Sequence, residues 1–387
     1  MSQKIYFKDL DAIRTIAALM VFCSHATKLG SIKISNKYLA NFWTTIFDGG
    51  TGVLIFFVLS GFLITYLILS EVKQKGIFNL KNFYLRRILR IWPLYFVLLI
   101  FAYFIYLPVL GHFSNINVTG IWSHAGYYFG MLSNFDVLRD PMGDFIPVGI
   151  TWSVAIEEQF YLLWPLLFFF IPSKRYQYIF YISLFISLAF KIYNYDKPAV
   201  LYYHSLGVVP YLSIGGLAAY YSINSEKFRS LFKGRNNWFI YVAGFLCLYL
   251  YNFMQISPIL VTLLQALFFA WVILDQSHNA SSPLKLSRFK VLTKMGKYTY
   301  GIYMLHQTVL FSILALLRFF SNYDVTTNVV INYLIGLPLT LLLAYTSYHL
   351  LEKRFLILKS RLEYIKTSDI EKSNSNDTTP QKPGNSL

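Results

Sequence analysis

The sequence has few charged residues and few cysteines. Of its 387 residues only 13% are Asp, Glu, Lys or Arg, whereas a typical soluble domain has about 25%. A chain of this length cannot cover a water-exposed surface with so few charges, which excludes a soluble globular protein. Its two cysteines, Cys23 and Cys247, both lie in apolar runs. They provide neither a disulfide framework nor the spacing of a metal site.

The chain is instead rich in hydrophobic and aromatic side chains, which make up 56% and 19% of it. A membrane-spanning helix needs ~20 mostly apolar residues, and such windows recur along the whole chain. Lipid forces the backbone polar groups to pair within each segment, so the spans must be helices. The sequence therefore predicts an all-α polytopic bundle of about ten transmembrane helices, at residues 11–29, 52–70, 91–110, 152–171, 176–192, 204–222, 238–254, 258–275, 298–317 and 330–350.

The basic residues indicate how these helices are oriented. A net charge of +16 would suit a nucleic-acid partner, but the charges lie in short loops between apolar spans, where Lys and Arg orient helices. They concentrate in alternate loops, so we expect both termini in the cytoplasm and no nucleic-acid partner. We expect residues 1–360 to form the membrane domain and the polar residues 361–387 to form a disordered cytoplasmic tail.

An arginine and a histidine interrupt the first span. An ionisable side chain inside a span costs ~3 kcal/mol or more and is a functional candidate by default. Arg14 and His25 are eleven residues apart, which is about three helical turns, so they share one helix face about 16 Å apart. Arg14 would lie at the cytoplasmic end and His25 in the outer half of the membrane. The alternative is an arginine at the interface and a histidine that only packs.

Two carboxylates interrupt the fourth span, which opens with Trp152 and Ser153 and continues to Glu157 and Glu158. Glu157 would lie about 7–8 Å deeper than Trp152, at a depth comparable to that of His25. A glutamate there could orient the imidazole and raise its basicity. Adjacent helical residues point about 100° apart, so only one glutamate can face the histidine. A structural ion pair with Lys or Arg is the alternative.

Three arginines, Arg86, Arg87 and Arg90, precede the third span. Arg87 and Arg90 are three residues apart and therefore neighbours on one helix face. Two guanidinium groups at a helix end can bind phosphate groups in a bidentate manner. The alternative is that they only anchor the span on the cytoplasmic side.

The ninth span carries His306, with Tyr303 one turn earlier. Together with Trp152 and Ser153, these two residues are candidates for the lining of a pocket. A membrane histidine beside tyrosines can equally be a packing group. The second span contains small residues, among them Gly61, which permit neighbouring helices to approach closely.

Six motifs, taken in chain order, resemble the signatures of one known family, the acyltransferase-3 family of integral membrane O-acyltransferases. The resemblance covers residues 8–356. The motifs are LDAIRTIAALMVFCSHA, GVLIFFVLSGFLIT, FYLRRILRIWPLYF, WSVAIEEQFYLLWP, YTYGIYMLHQ and LEKRF.

The resemblance implies an enzyme of the bacterial inner membrane. Such an enzyme transfers an acyl group, usually acetyl, from acyl-coenzyme A to a hydroxyl of a surface polysaccharide, a lipopolysaccharide or a lipid-linked sugar. His25 would be the catalytic histidine, and Glu157 or Glu158 would support it or the acceptor. The arginines assigned to the phosphates of the donor are Arg14, Arg86, Arg87 and Arg90. Acetyl-coenzyme A would be a substrate, with no tightly bound cofactor and no metal.

The resemblance leaves several alternatives open. Some members carry an additional extracytoplasmic esterase-like domain; this sequence shows none, so we expect the acceptor to reach the membrane-embedded site. His25 would act as a general base or carry the acyl group transiently. The acceptor, the acyl group and the oligomeric state stay open. One alternative function is a transporter or proton-coupled permease, which would also place His and Glu inside the membrane. A second alternative is a structural partner in glycan export that has no turnover.

Overall fold

The structure, a computed structural model, describes residues 7–28, 37–113, 119–139, 147–251, 257–320 and 325–363. Within these ranges the secondary structure is helical, without strands. Almost all of the polar tail expected at residues 361–387 lies outside the described residues. The all-α prediction is confirmed for the part of the chain that the structure describes.

Nine helices in the described ranges are long and apolar enough to cross a membrane, and one further apolar helix is shorter. We number these ten helices α1 to α10 in chain order: Lys8–Lys28, Gly49–Lys75, Leu80–Val109, Thr151–Phe170, Ser173–Tyr193, Ser205–Asn224, Trp238–Leu250 (the shorter one), Pro258–His278, Lys290–Leu317 and Asn328–Arg361. Short helices between them are Lys37–Ile46, Thr119–Trp122, Ala125–Phe129, Ser133–Arg139, Pro198–Tyr203 and Glu226–Ser230. Each predicted span falls on one of the ten helices, so the polytopic bundle is confirmed, while the side on which the termini lie stays a prediction.

The ends of α2 show how the local sequence sets a helix boundary. Asp48 precedes the helix, and its carboxylate accepts hydrogen bonds from the backbone N–H groups of Gly50 at 3.2 Å and Thr51 at 2.7 Å. These donors have no partner inside the helix, which is why Asp is favoured at this position. The helix ends at Gly76, whose φ of +80° suits a residue without Cβ.

Helices α2 and α6 cross at a contact between glycines. A Cβ added at Gly61 would lie 2.0 Å from the carbonyl oxygen of Leu212, and one added at Gly215 would lie 2.2 Å from that of Val58. No side chain fits at either position, so the two backbones touch directly. The close approach predicted from the small residues of the second span is therefore confirmed for Gly61.

The outer faces of the bundle carry large apolar side chains that no other part of the described structure covers. Phe170 is 75% exposed, Phe185 is 73% exposed and Leu334 is 72% exposed. A water-soluble surface rarely has continuous apolar faces of this kind, whereas lipid solvates them. The polar side chains instead gather in the interior, where α1 packs against α2 and α9, and α4 packs against α2 and α3.

Candidate active site

Three cavities follow one another through the interior of the bundle, and each shares lining residues with the next. The first two have Arg14, Arg90 and Tyr300 in common. The second and third have Val53 and Tyr303 in common. Most of the predicted site residues line these cavities; the exceptions are Arg86, Glu158 and His306.

The first cavity, which we call the basic vestibule, has a volume of about 510 Å³ and a strongly cationic lining. Its charged residues are Lys8, Asp11, Arg14, Arg90, Lys290, Lys294, Lys297, Glu352 and Lys359. Seven cations thus outnumber two carboxylates. One carboxylate, that of Asp11, accepts a hydrogen bond from the Arg14 guanidinium at 2.6 Å. A cavity with this surplus of positive charge attracts anions such as phosphate groups.

The second cavity, which we call the arginine cavity, has a volume of about 110 Å³. Its polar lining residues are Arg14, Ser60, Arg87, Arg90, Ser153, Glu157, Tyr161, Thr299, Tyr300 and Tyr303. Arginines from α1 and α3 therefore converge on one space, although they lie more than seventy residues apart in the chain. The shared helix face that the three-residue spacing predicts for Arg87 and Arg90 is the face that lines this cavity.

Arg87 is held by aromatic rings and keeps one donor unused. Its guanidinium carbon lies 5.5 Å from the ring centroid of Phe83 and 5.7 Å from that of Tyr161, close enough for cation–π attraction. Its Nε, although buried, finds no hydrogen-bond partner among the residues that the structure describes. A buried unpaired donor is costly, so this position suits a residue that binds an anionic ligand.

Arg86 lies outside the lining of the arginine cavity and the basic vestibule. Its guanidinium approaches the Glu71 carboxylate at 3.5 Å and donates to the carbonyl oxygen of Leu362 at 3.0 Å. These contacts tie α2, α3 and the end of α10 together. Of the four arginines assigned to the donor phosphates, Arg86 is the one that lies outside both of these cavities.

The two adjacent glutamates of α4 point in different directions, as the helical geometry requires. Glu157 lines the arginine cavity and accepts a hydrogen bond from the Ser60 hydroxyl. Glu158 accepts one from the indole N–H of Trp92 at 2.9 Å. Of the pair, Glu157 is therefore the one that shares a cavity with Arg14, Arg87 and Arg90.

His25 forms a pair with His306, which is fully buried. The Nδ1 atom of His25 lies 3.1 Å from the Nε2 atom of His306, and the ring centroids are 5.1 Å apart. The contact joins α1 to α9, two helices that pack side by side. Two titratable rings therefore meet in the interior of the bundle.

The neighbours of the two rings fix the positions of their protons. His306 Nδ1 lies 2.6 Å from the carbonyl oxygen of Tyr303 and must donate to it. In a neutral ring His306 Nε2 is then an acceptor, so His25 Nδ1 must carry the hydrogen that faces it. His25 Nδ1 also lies 3.0 Å from the carbonyl oxygen of Val21, which demands the same tautomer. The remaining nitrogen of His25, Nε2, is left unprotonated and able to accept a proton.

His25 lines the third cavity, which we call the histidine cavity and which has a volume of about 470 Å³. Its polar and aromatic lining residues are Ser24, His25, Lys28, Asp48, Thr51, Trp152, Lys191, Tyr195, Tyr202, Tyr203, Tyr211, Thr262, Gln265 and Tyr303. The Trp152 ring stands 4.9 Å from that of Tyr202 and 4.8 Å from that of Tyr203. This size and mixed lining are typical of a site for a small organic ligand.

A hydrogen bond lies at the boundary between the arginine and histidine cavities. The hydroxyls of Ser153 and Tyr303 are 2.5 Å apart. Tyr303 lines both cavities, whereas Ser153 lines only the arginine cavity. The four candidate pocket residues therefore lie at different positions. Trp152 and Tyr303 line the histidine cavity, Ser153 lies at its boundary, and His306 lies behind His25.

The structure does not pair His25 with a glutamate. The matching depths of His25 and Glu157 suggest such a pair, but His25 contacts His306, and Glu157 accepts from Ser60 in another cavity. Depth along the membrane normal does not determine which neighbour a helix face meets. Here α1 turns the face with His25 towards α9, while α4 packs against α2 and α3.

Sequence reasoning misses the residues of the histidine cavity that lie near helix ends. Lys191 and Tyr202 are examples, because they lie near the junction of α5 with the next short helix. The sequence does contain one signal. Lys191 lies at the end of its span that is predicted to be on the non-cytoplasmic side of the membrane, where lysine is disfavoured.

Comparison with known proteins places this arrangement in a family. The profile of a family described as an acyltransferase domain matches residues 7–349. A protein of Staphylococcus aureus (strain COL), provisionally named an O-acetyltransferase, is 28% identical over 400 residues, which cover 90% of this chain and 57% of that protein. The peptidoglycan O-acetyltransferase OatA of Listeria monocytogenes serovar 1/2a is 28% identical over 329 residues, 79% of this chain and 49% of OatA.

An uncharacterized protein of Haemophilus influenzae (strain Rd) is 33% identical over 245 residues, 58% of this chain and 98% of that protein. No solved structure matches the chain. The chain spans roughly half the length of the named relatives, 57% and 49%. The family match, in contrast, extends over most of the chain and includes the helices that carry Arg14, His25, Arg87 and His306. The resemblance seen in the six motifs is thereby confirmed, and the chain belongs to this family of membrane acyltransferases.

Proposed function

We propose that the protein is an O-acetyltransferase of the bacterial inner membrane that moves an acetyl group from acetyl-coenzyme A to a hydroxyl of a cell-surface glycan. The observation that carries the proposal is the His25–His306 pair at the end of a path lined by cations. The names of the relatives in Staphylococcus aureus and Listeria monocytogenes support O-acetyl transfer, and the second of them supports a glycan acceptor.

The donor would enter through the basic vestibule. Coenzyme A carries its phosphates at one end and its thioester at the other, so its two ends need different surroundings. The seven cations of the vestibule and the unpaired Nε of Arg87 suit the phosphates, because charge-assisted hydrogen bonds are the strong ones. The vestibule faces the cytoplasm in the orientation that the basic loops predict. The pantetheine arm would then reach towards Tyr303 and His25.

The acceptor would occupy the histidine cavity. His25 Nε2 takes the proton of the acceptor hydroxyl, whose oxygen forms a bond to the thioester carbonyl carbon. The carbon–sulfur bond breaks, and the thiolate of coenzyme A receives the proton from His25. His306 accepts the hydrogen bond of His25 Nδ1–H throughout and so holds the ring in the basic tautomer. A transient acyl-histidine divides the same transfer into two steps.

The proposal is tested with purified protein in lipid nanodiscs. Release of free coenzyme A from acetyl-coenzyme A should increase when a soluble peptidoglycan fragment is added. Mass spectrometry should then find one ester-linked acetyl group on the fragment. Uptake of the glycan into liposomes without release of coenzyme A would contradict the proposal and favour the transporter.

The partner of His25 gives a separate prediction. Replacing His306 with phenylalanine removes the acceptor of the Nδ1–H hydrogen bond, and we expect kcat to fall about 10- to 100-fold, the effect of losing one buried hydrogen bond of about 1–3 kcal/mol. The Michaelis constants for donor and acceptor should stay unchanged. The variant His306→Gln, whose amide oxygen can accept, should regain part of kcat. Equal losses in both variants, accompanied by changed Michaelis constants, would show that His306 only packs.

A further inference from the structure

The histidine cavity contains a buried lysine that the proposed acetyl transfer does not use. Lys191, near the end of α5, is only 3% exposed, and its side chain lines the cavity. No acidic side chain or hydrogen-bond acceptor contacts its ammonium within the described ranges of the chain. Its Nζ is not among the fully buried atoms that lack a partner, so the ammonium keeps open surface in a cavity that the side chain lines, and an anionic ligand there would form a charge-assisted hydrogen bond with it.

The charges around Lys191 leave the cavity positive. Lys28, at the end of α1, lines the same cavity and is exposed. Among the lining residues that the structure describes, the one carboxylate belongs to Asp48. Its oxygens already accept from the backbone N–H groups of Gly50 and Thr51 and, at 2.6 Å, from the Thr51 hydroxyl. Asp48 is therefore occupied with the start of α2, and it forms no ion pair with either lysine.

The histidine cavity also provides a surface for a sugar ring. Three aromatic side chains, those of Trp152, Tyr202 and Tyr203, form this surface, which we call the aromatic wall. Flat aromatic faces pack against the apolar C–H face of a pyranose, while the tyrosine hydroxyls serve its polar rim. Since His25 lines this cavity too, a bound sugar would have a base, an aromatic wall and a buried cation around it.

We propose that the histidine cavity selects an acidic glycan. A hydroxyl of the acceptor lies at His25, one of its rings lies against the aromatic wall, and a carboxylate or phosphate group on the same glycan pairs with Lys191, with Lys28 as a second cation at the mouth. This inference rests on the proposed function and adds to it the chemical class of the acceptor. It also makes Lys191 a specificity residue, since it does not touch the reacting atoms.

The experiment compares three acceptors that differ in one substituent: an aminosugar oligosaccharide that bears a carboxylate, its neutral carboxamide derivative and the corresponding glycosyl phosphate. With the wild-type protein, kcat/KM should be at least about tenfold higher for one of the two acidic acceptors than for the carboxamide, the ratio that about 1.4 kcal/mol produces. The preferred acidic acceptor identifies the group as carboxylate or phosphate. Equal kcat/KM for all three would overturn the inference.

Variants at position 191 assign the preference to this lysine. Lys191→Met should lose the preference for the acidic acceptor, mainly through KM, and should keep its activity on the carboxamide. Lys191→Arg should retain the preference. The matched control is Lys197→Met, which removes the same charge from an exposed side chain nearby that does not line the cavity. Equal losses of Lys191→Met on acidic and neutral acceptors would overturn the inference.

Direct binding separates this inference from the proposed function. Calorimetric titration of the purified protein with the same three glycans needs no turnover. The inference is supported if the wild-type protein binds an acidic glycan more tightly than the carboxamide and Lys191→Met loses this difference. If no acetyl transfer is detected in that case, only the proposed function fails. Acetyl transfer without any charge preference has the opposite meaning: the proposed function stands and the acidic acceptor is excluded.

Discussion

Replacing His25 with alanine is expected to lower the rate of acetyl transfer about 10²- to 10⁴-fold, the range in which a positioned general base contributes. The structure gives the reason. His25 Nδ1 is engaged with Val21 and His306, so the ring presents one free nitrogen, and the ring lines the cavity proposed for the acceptor. His306 does not replace it in the proposed mechanism, because His306 lies behind His25 and does not line the histidine cavity.

The measurement is coenzyme A release by purified His25→Ala in nanodiscs, at saturating concentrations of donor and acceptor. The expected loss is in kcat, with donor binding retained. The control is His112→Ala, at an exposed histidine outside the three cavities, which should behave like the wild type. Acetyl transfer at the wild-type rate by a folded His25→Ala protein would refute the catalytic role of His25.

Replacing both Arg87 and Arg90 with glutamine is expected to raise the Michaelis constant for acetyl-coenzyme A about 10²- to 10⁴-fold. Each charge-assisted hydrogen bond contributes about 1.5–3 kcal/mol, and a factor of ten corresponds to 1.4 kcal/mol. Arg90 lines both the basic vestibule and the arginine cavity. Arg87 lines the arginine cavity, and its Nε has no hydrogen-bond partner in the part of the chain that the structure describes. The two side chains therefore stand where phosphates would pass or bind.

Donor saturation curves of the double variant test this prediction, and kcat at full saturation should change much less than the Michaelis constant. Arg175→Gln is the matched control, because Arg175 is an exposed arginine at the start of α5 that lies outside the three cavities. Unchanged donor saturation in the double variant would mean that Arg87 and Arg90 only anchor α3. A loss of folded protein would be detected beforehand by its thermal unfolding in detergent.

The helices of the bundle could be predicted from the sequence because lipid imposes a simple rule. Each apolar window must form a helix, so the ten predicted spans fall on α1 to α10. Helical periodicity also places residues on faces, and Arg87 and Arg90 do line one cavity. These predictions depend only on distances along a single helix.

The partner of His25 could not be predicted in the same way, because it depends on how helices rotate against each other. Hydropathy gives the depth of His25 and of Glu157 but not the direction that either side chain faces. For the same reason the sequence could not show which of Glu157 and Glu158 faces the site, because the two are adjacent in one helical turn. The packing of α4 against α2 and α3 determines that Glu157 lines the arginine cavity. Lys191 escapes detection because loops and helix ends build that part of the histidine cavity.

The hydrogen bond between Ser153 and Tyr303 also bears on whether protons can leak across the membrane through this protein. A continuous column of water across a membrane conducts protons and discharges the potential, which is worth about 2.3 kcal/mol per charge at 100 mV. The two hydroxyls lie where the arginine and histidine cavities adjoin. Because the two hydroxyls bond to each other, a chain of water between the two cavities would have to break their contact, and in the proposed transfer the pantetheine arm would have to pass the same point.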